Sequence, residues 1–298
     1  MFGVYFGKYL EDKGILTNEQ YNAIINDSKN AKVKLGLLAV ESGFMTYVQA
    51  DEVNMLQQMQ DRRFGDIAVE KGYLTEEQVG TLLKKQGDEY LLFVQALVEN
   101  NILTLEQIQK ELNSYKKSER FTALDLEAIK SGDIDKIVPV FTKNSDVSPM
   151  VKDYIALVAR NHVRFINSHF RMEKVEKVNE YTATFVSAQE LDGDYRLFTG
   201  FCGDGAGIKE IAEAFAKEEF EAVDMDVLDA ACEFLNCNNG LYATKLSHED
   251  VSLDMLPPIM KDTTTTIRTE GNMYRVPFYI KDQKVDLIVC IESKWSLD

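Results

Sequence analysis

A repeat of 29 residues in the first third of the chain constrains the fold more than any other feature of the sequence. Gly7, Gly36 and Gly65 are separated by this step, and Val94 stands at the next one. Four further columns keep the same register: Asp12, Glu41, Glu70 and Glu99; Gly14, Gly43, Gly72 and Asn101; Thr17, Thr46, Thr75 and Thr104; Gln20, Gln49, Gln78 and Gln107. Agreement in five columns over four copies is not chance, and such a period indicates an array of stacked units.

Two of these columns predict the local structure of each copy. The Gly or Asn column falls where a short helix ends in a left-handed residue, a conformation that Gly adopts freely and Asn tolerates. The Thr and the Gln three residues later form a capping box, which satisfies free N–H groups at the start of a second helix. Because helices this short are not stable alone, the copies must stack on a shared core. In purely structural terms, such an array is a spacer or a dimerisation arm.

The copies resemble the N-terminal domain of type II secretion and type IV pilus assembly ATPases, over roughly residues 4–115. That family carries a tandem R-L-G-x-x-L-x-x-x-G pattern that ends in Gln. The third copy matches the pattern at Arg63, Gly65, Gly72 and Gln86, and the second copy has Lys34, Gly36, Gly43 and Gln57 at the same positions. The first copy departs from the pattern, with Tyr5 at the Arg position and Ser28 at the Gln position. The fourth copy has Leu92 at the Arg position and lacks the glycine. In some members the motif binds cyclic di-GMP, so the resemblance implies Lys34 and Arg63 as nucleotide contacts. Lysine, however, lacks the planar fork that arginine offers to a guanine edge.

Composition excludes several classes of function. The net charge of −16 argues against binding to a nucleic-acid backbone, which requires clustered Lys and Arg. No apolar run is long enough to span a membrane and the N-terminus does not read as a signal peptide, so we expect a cytoplasmic protein without membrane insertion. The 4 cysteines and 3 histidines do not fall at metal-ligand spacing, and we expect no metal or other cofactor of the protein's own.

The remainder of the chain predicts a connector and a second domain. Residues 117–148 read as a helical connector with short helices at 122–129 and 134–141, and residues 149–298 form an α+β domain. Periodicity predicts helices at 149–178, 208–220 and 224–246 and strands at 181–188, 195–202, 263–269, 273–280 and 284–292. Gly271-Asn272 reads as a hairpin turn, and Pro277 predicts an edge strand or a bulge because it lacks an N–H. The glycine-rich segment 203–207 matches no phosphate-loop pattern and is interpreted as a strand-to-helix connection.

The helix predicted at 224–246 carries the candidate site. At helical spacing Asp229, Glu233 and Asn236 share one narrow face, while apolar residues cover the rest of the helix. A solvated polar stripe would have the same pattern, and so the pair Glu233 and Asn236 is not specific by itself. Acidic residues from Glu218 to Asp226 precede the stripe; they are either a solvated face or a patch that steers a basic partner.

The surroundings of this helix resemble the CheC/CheX/FliY family of chemotaxis phosphatases. The pattern (Asp or Ser)-x-x-x-Glu-x-x-Asn is matched by Asp229, Glu233 and Asn236, and it is followed by Gly240, by the loop Leu256-Pro257-Pro258 and by a run of strands. A single copy of the motif is more similar to CheX than to CheC or FliY.

The resemblance implies an activity, a partner and a role for each matched residue. The substrate would be the aspartyl phosphate of a CheY-like response regulator, with Mg²⁺ and a lysine supplied by that partner. Asn236 would orient the attacking water, Glu233 would pair with the partner's lysine, and Asp229 would support docking. The family also implies a homodimer, and the strands around Pro277 would form its interface.

Three functions therefore remain open at the level of sequence. The first is a response-regulator phosphatase, which belongs to chemotaxis or to a related two-component pathway. The second is a non-catalytic signalling adaptor that keeps the docking helix. The third is a cyclic di-GMP receptor that acts through the N-terminal repeats.

Overall fold

The computed structural model describes residues 1–27, 33–60, 63–83, 89–292 and 294–298. The chain divides into two compact units, Met1–Gly132 and Asp133–Asp298. The boundary falls inside the segment 117–148 that the sequence predicts to be a connector. Two of the repeat positions named above, Ser28 and Gln86, lie outside the described residues.

The described part of the first unit is helical. Its helices are α1 (Phe2–Asp12), α2 (Asn18–Asp27), α3 (Leu35–Glu41), α4 (Tyr47–Gln60), α5 (Phe64–Glu70), α6 (Glu76–Leu83), α7 (Glu89–Glu99), α8 (Leu105–Ser118) and α9 (Ala123–Lys130). Aromatic side chains of α1 and α7, such as Phe2, Phe6 and Phe93, form part of the core. The glycine column allows helices to approach closely, because a Cβ added at Gly7 would lie 2.7 Å from the ring of Tyr21.

The capping boxes and the left-handed turns predicted from the repeat are confirmed. At Thr104, the backbone N–H donates to Gln107 Oε1 at 2.8 Å, and Oγ1 accepts from the Gln107 N–H at 3.3 Å. The same reciprocal pair recurs at the three other copies of the Thr and Gln columns. The turn residues Gly14, Gly43, Gly72 and Asn101 have φ of 69°, 70°, 71° and 54°.

The second unit combines helices with an antiparallel sheet, as the α+β prediction requires. Its helices are α10 (Ile134–Thr142), α11 (Pro149–Asn161), α12 (Ala206–Ala216) and α13 (Met225–Ser247), with a π-helical turn at His162–Ile166. Its strands are β1 (Phe170–Met172), β2 (Glu176–Ala183), β3 (Phe185–Gly193), β4 (Leu197–Gly203), β5 (Leu253–Met255), β6 (Ile259–Lys261), β7 (Thr265–Ile280), β8 (Gln283–Ile291) and β9 (Trp295–Leu297). The sheet order is β1-β7-β8-β4-β3-β5, with β2 and β9 also paired to β7 and β6 to β3.

Both faces of the sheet are covered. Helices α12 and α13 lie against one face, over β3, β4 and β8. On the other face a buried cluster that includes Val186, Phe198, Ile267 and Ile288 packs together, which requires the sheet to curl over it.

The predicted helix at 149–178 is wrong beyond residue 161. Helix α11 ends at Asn161, and after the π-helical turn Asn167 adopts an extended φ of −158°. Strands β1 and β2 follow, both paired with β7. The apolar residues Val163, Ile166 and Phe170 fit helical spacing, yet tertiary pairing with β7 decides the local structure.

The strand boundaries also differ from the prediction. The predicted strand 181–188 straddles Thr184, where the chain leaves β2 beside β7 and enters β3 beside β4. The hairpin itself is present, since β3 pairs with β4 from Phe185 opposite Gly203 to Leu191 opposite Leu197.

Gly271-Asn272 is not a hairpin turn, because β7 runs through it as a single strand of 16 residues. On the β2 side, Val178 faces Met273 and Glu180 faces Arg268, so the pair sits in a bulge that β7 forms against β2.

The edge position predicted for Pro277 is wrong. Pro277 is paired with Asp286 of β8, and on its other side it lies between the segments of β7 that pair with β1 and β2. There its carbonyl accepts from the Glu173 N–H at 3.0 Å. The missing N–H of proline is accommodated because the neighbouring strand is interrupted at this point.

The segment before α12 is a strand-to-helix connection, as interpreted from the sequence. Strand β4 ends at Gly203 and α12 begins at Ala206, with Gly205 at a φ of 103°. Gly207 lies against β8, since a Cβ there would be 2.3 Å from the Lys284 carbonyl oxygen. These glycines serve close packing of α12 on the sheet.

Candidate functional site

Helix α13 positions the candidate site on the sheet. It begins at an N-cap, Asp224, whose Oδ1 accepts from the N–H groups of Asp226 and Val227 at 3.1 and 3.2 Å. The sheet-facing side of the helix is fully buried and includes Ala231, Phe234 and Leu235. A helix held along one whole side in this way presents its other side as a rigid surface.

The structure places Asp229, Glu233 and Asn236 on successive turns of this surface. Asp229 and Glu233 are exposed and Asn236 is half-buried. Within the described ranges of the chain, neither carboxylate forms a hydrogen bond or an ion pair. Each is therefore available to a cation of another molecule, whereas Asn236 is tied to the protein.

Asn236 is held by a glutamine that the sequence analysis missed. Gln189 of β3 donates from Nε2 to Asn236 Oδ1 at 3.1 Å and to the carbonyl oxygen of Leu256 at 2.9 Å. Its Oε1 accepts from Asn239 Nδ2 at 2.8 Å. No local signal in the sequence singles out Gln189, because Ser187 and Glu190 give its strand a mixed polarity. Its burial, which requires hydrogen-bond partners for the amide, becomes visible only in the fold.

Two further side chains extend this network into the core. Tyr154 of α11 donates its hydroxyl to Asn239 Oδ1 at 2.6 Å, and Thr199 of β4 accepts from Asn239 Nδ2 at 3.0 Å. All three side chains are fully buried. Burial raises the pKa of Tyr154, so its hydroxyl stays protonated and remains a donor.

The Leu-Pro-Pro loop noted in the sequence contains Leu256, whose carbonyl oxygen accepts a hydrogen bond from Gln189 Nε2. Strands β5 and β6 both pair with β3, with Met255 opposite Leu191 and Ile259 opposite Ala188. The loop 256–258 thus passes beside Gln189. A residue before proline is confined to extended conformations, which fixes the peptide that carries the Leu256 carbonyl.

Cys232 lies on the same helix but is not a candidate nucleophile. Its side chain is buried beneath α13, and burial raises its pKa to about 12. The thiol therefore stays protonated near neutral pH, whereas a nucleophilic cysteine requires the thiolate. The chemistry available at this surface is that of two carboxylates and an amide, which suits positioning and charge pairing rather than covalent catalysis.

The other candidate residues, Lys34 and Arg63, lie in the first unit. Both line a cleft of about 460 Å³ together with Gln57, Gly36 and Gly65. Lys34 Nζ pairs with Glu99 at 2.5 Å, whereas Arg63 forms no ion pair with the described residues. The structure therefore brings the two predicted cations to one cleft.

In the described part of the chain, no helix is long and apolar enough to cross a bilayer. No three His, Cys, Asp or Glu side chains among those same residues are grouped so that they could hold a metal ion.

The comparison with protein families gives a match within the second unit. Residues 185–281 match the model of the family described as chemotaxis phosphatase CheX. This segment includes β3, β4, α12 and α13, and with them Asp229, Glu233, Asn236 and Gln189. The prediction of a CheX-like domain is confirmed at this level: the C-terminal half of the chain contains a CheX-like segment.

The chain is also similar to solved structures of CheX and CheC-like proteins. No curated protein matches it. Chemotaxis protein CheX from Vibrio vulnificus is 18% identical, covers 49% of this chain and 100% of its own, and has a TM-score of 0.43. A CheC-like superfamily protein from Shewanella sp. PV-4 is 18% identical, with coverages of 48% and 97% and a TM-score of 0.42. A CheX-CheY-BeF3-Mg²⁺ complex from Borrelia burgdorferi is 15% identical, with coverages of 49% and 97% and a TM-score of 0.35.

Proposed function

We propose that this protein is a phosphatase that removes the phosphoryl group from the aspartyl phosphate of a CheY-type response regulator. The observation that carries the proposal is the exposed face of α13. There Asp229, Glu233 and Asn236 stand on successive turns, inside the segment that matches the chemotaxis phosphatase CheX model. The pathway is chemotaxis or a related two-component system.

The proposed reaction is the hydrolysis of an acyl phosphate. A water oxygen adds to phosphorus, the bond between phosphorus and the aspartate oxygen breaks, and the products are a free carboxylate and inorganic phosphate. The partner regulator is expected to carry Mg²⁺ and a lysine at its own active site, so this chain has to supply neither. Its contribution is to place groups around an existing site, which is the main catalytic device in phosphoryl transfer.

Each residue of the face has a proposed role. Glu233, an exposed carboxylate without a hydrogen-bond or ion-pair partner in the described residues, pairs with the lysine of the regulator and fixes the docked orientation. Asn236 orients the attacking water in line with phosphorus. Asp229, one turn before Glu233, contacts the partner surface. The acidic residues that precede α13, among them Glu218, Glu219 and Glu221, are exposed and add to the negative potential that attracts a basic partner.

The test is to phosphorylate candidate regulators and follow the loss of acyl phosphate. With Asn236→Ala we expect the partner to bind while the rate falls about 10²- to 10³-fold, because one catalytic amide is removed. With Glu233→Ala we expect weaker binding as well as a lower rate. Glu249→Ala, which removes an exposed carboxylate beyond the end of α13, is the matched control and keeps both binding and rate.

Failure of the phosphatase proposal has a distinct signature. If no candidate regulator loses phosphate faster in the presence of the protein, yet one still binds it in a Glu233-dependent way, the chain is an adaptor. Near full activity of Asn236→Ala would instead remove Asn236 from the proposed mechanism.

The first unit supports a second candidate function, a receptor for cyclic di-GMP. It is favoured by the shared cleft of Lys34 and Arg63 and by the guanidinium of Arg63, which has no ion-pair partner in the described residues. Saturable binding of this nucleotide in a calorimeter, abolished by Arg63→Ala, would support it. Heat changes that persist unaltered in Arg63→Ala would reject it.

A further inference from the structure

Gln189 links the candidate site on α13 to the neighbouring strand and loop through hydrogen bonds of its side chain. Its side chain is 4% exposed and bridges three elements: Asn236 and Asn239 of α13, the loop after β5 through the Leu256 carbonyl, and its own strand β3. The three hydrogen bonds of this side chain leave little freedom of rotation. A buried amide in such a network specifies one arrangement of its neighbours.

The chemistry of these contacts also fixes the direction of each amide. A backbone carbonyl can only accept, so the Gln189 atom that faces Leu256 is the Nε2 group. The same Nε2 group faces Asn236, whose atom on that side must therefore be Oδ1. The orientations of both amides therefore follow from the Leu256 carbonyl alone, whichever way the other amides of the chain are turned.

The contacts of Gln189 Oε1 are consistent with this orientation of the amide. Gln189 Oε1 accepts from Asn239 Nδ2, and Asn239 Oδ1 in turn accepts from the hydroxyl of Tyr154. Asn236 is consequently left with Oδ1 engaged and with an Nδ2 group that has no acceptor among the described residues. The free donor group is the part of Asn236 available to another molecule.

From this geometry we infer that Gln189 is a positioning residue, which holds Asn236 through Oδ1 so that its Nδ2 group is presented to the phosphoryl site of the partner. The inference deepens the proposed phosphatase function and rests on it. Gln189 itself does not touch the substrate. Its effect on the rate is exerted through Asn236, since a misplacement of about 1 Å in a catalytic group can cost roughly a hundredfold in rate.

The first arm of the test is kinetic and uses the full-length protein. Gln189→Met keeps the length of the side chain and removes its hydrogen bonds. We expect kcat to fall roughly ten- to a hundredfold while KM for the phosphorylated regulator stays unchanged, because the docking carboxylates are untouched. Asn161→Leu is the matched control, since it removes a buried amide whose Nδ2 donates to Asn238 of the same helix at 2.8 Å, and it should retain kcat.

The second arm is a double-mutant cycle that separates positioning from general loss of structure. In an Asn236→Ala background, Gln189→Met should have no further effect on kcat, because there is no longer an amide to position. An equal loss of rate in both backgrounds would overturn the inference. So would a Gln189→Met protein with the kcat of the parent.

The third arm does not depend on any phosphatase activity. The side-chain NH2 of Asn236, followed by ¹⁵N relaxation, should be as rigid as the backbone in the parent protein and mobile in Gln189→Met, with Asn161→Leu again like the parent. If the parent shows no phosphatase activity, the proposed function fails while this arm still decides whether Gln189 holds Asn236. An amide that stays rigid in Gln189→Met would reject the inference outright.

Discussion

The imidazole of His162 lies in the core among four phenylalanine rings. The ring centroids of Phe170, Phe201, Phe234 and Phe278 are 5.3, 5.6, 5.0 and 5.4 Å from its own. Its Nδ1 faces the carbonyl of Val158 at 3.3 Å, and its Nε2 is buried with no hydrogen-bond partner in the described residues. In this position His162 serves as a packing residue of the core.

We expect the buried His162 to make the protein sensitive to acid. Burial lowers its pKa from 6.5 to about 3, so the folded state excludes a proton that the unfolded state accepts. This contribution to stability is complete above pH 6.5 and is lost as the pH falls from 6.5 towards about 3, by about 1.4 kcal/mol per pH unit. We therefore expect His162→Phe to flatten the dependence of unfolding free energy on pH in this window. The measurement is urea denaturation at several pH values.

The control for this prediction is His248→Gln, because His248 is exposed and its substitution should leave the slope unchanged. A slope for His162→Phe equal to that of the parent would show that other groups cause the acid sensitivity.

The candidate site also shows what a sequence can predict at the scale of single residues. Asp229, Glu233 and Asn236 were predictable because helical spacing fixes which side chains share a face. Gln189 and Tyr154 were not, because their contacts join residues 47 and 85 positions apart along the chain. Such pairings depend on how the strands and helices assemble, which local periodicity does not encode.

At the scale of the elements, two glycines of the first unit show how backbone conformation, as distinct from side-chain packing, affects the free energy of unfolding. A Cβ at Gly72 or at Gly80 would meet no atom of the described residues within 4 Å, so neither substitution causes a clash with them. Gly72 has a φ of 71°, which disfavours a side chain, whereas Gly80 lies within α6. We expect Gly72→Ala to destabilise the protein by about 1–2 kcal/mol and Gly80→Ala to stabilise it by up to about 1 kcal/mol. Denaturant titrations of the two variants test this prediction.

The two substitutions act as controls for each other, because both add one methyl group to an open surface. Shifts of the same sign would contradict the assignment of a left-handed turn at Gly72.

Local signals in the second unit were less decisive. Gly271-Asn272 has the composition of a hairpin turn, yet β7 uses it for a bulge because β2 and β8 pair with the strand on either side of it. The residues after Asn161 fit a helical period, yet they form strands because β7 offers partners for them. In both places pairing with a distant strand outweighs a preference that only a few residues express.

For the whole molecule, we predict a homodimer that does not use the strands around Pro277. Pairing with β8 and β1 occupies both sides of β7 there, whereas β2 pairs only with β7 among the described strands. An unpaired strand edge is a ready template for a second chain. Light scattering should therefore give twice the chain mass of 33.9 kDa. A particle of 33.9 kDa at all concentrations would refute the prediction.

The large-scale organisation was accessible from the sequence for a different reason. The capped helices and left-handed turns of the first unit were predictable because they recur at a fixed step, and each turn depends only on residues within one copy. The sheet depends instead on strands far apart in the chain, such as β1 with β7, and its order could not be read from local patterns.

The buried amide network also affects the deamidation of Asn239. Asn239 precedes Gly240, and asparagine before glycine is the arrangement that deamidates most readily in a flexible chain. Inside α13 the glycine nitrogen belongs to the helical ladder and Asn239 is fully buried, so the folded protein suppresses the reaction. Once converted to aspartate, residue 239 would place an oxygen against Gln189 Oε1 where a donor stood. Deamidation at Asn239 is therefore expected to accumulate in protein that has been unfolded, and mass spectrometry can detect it.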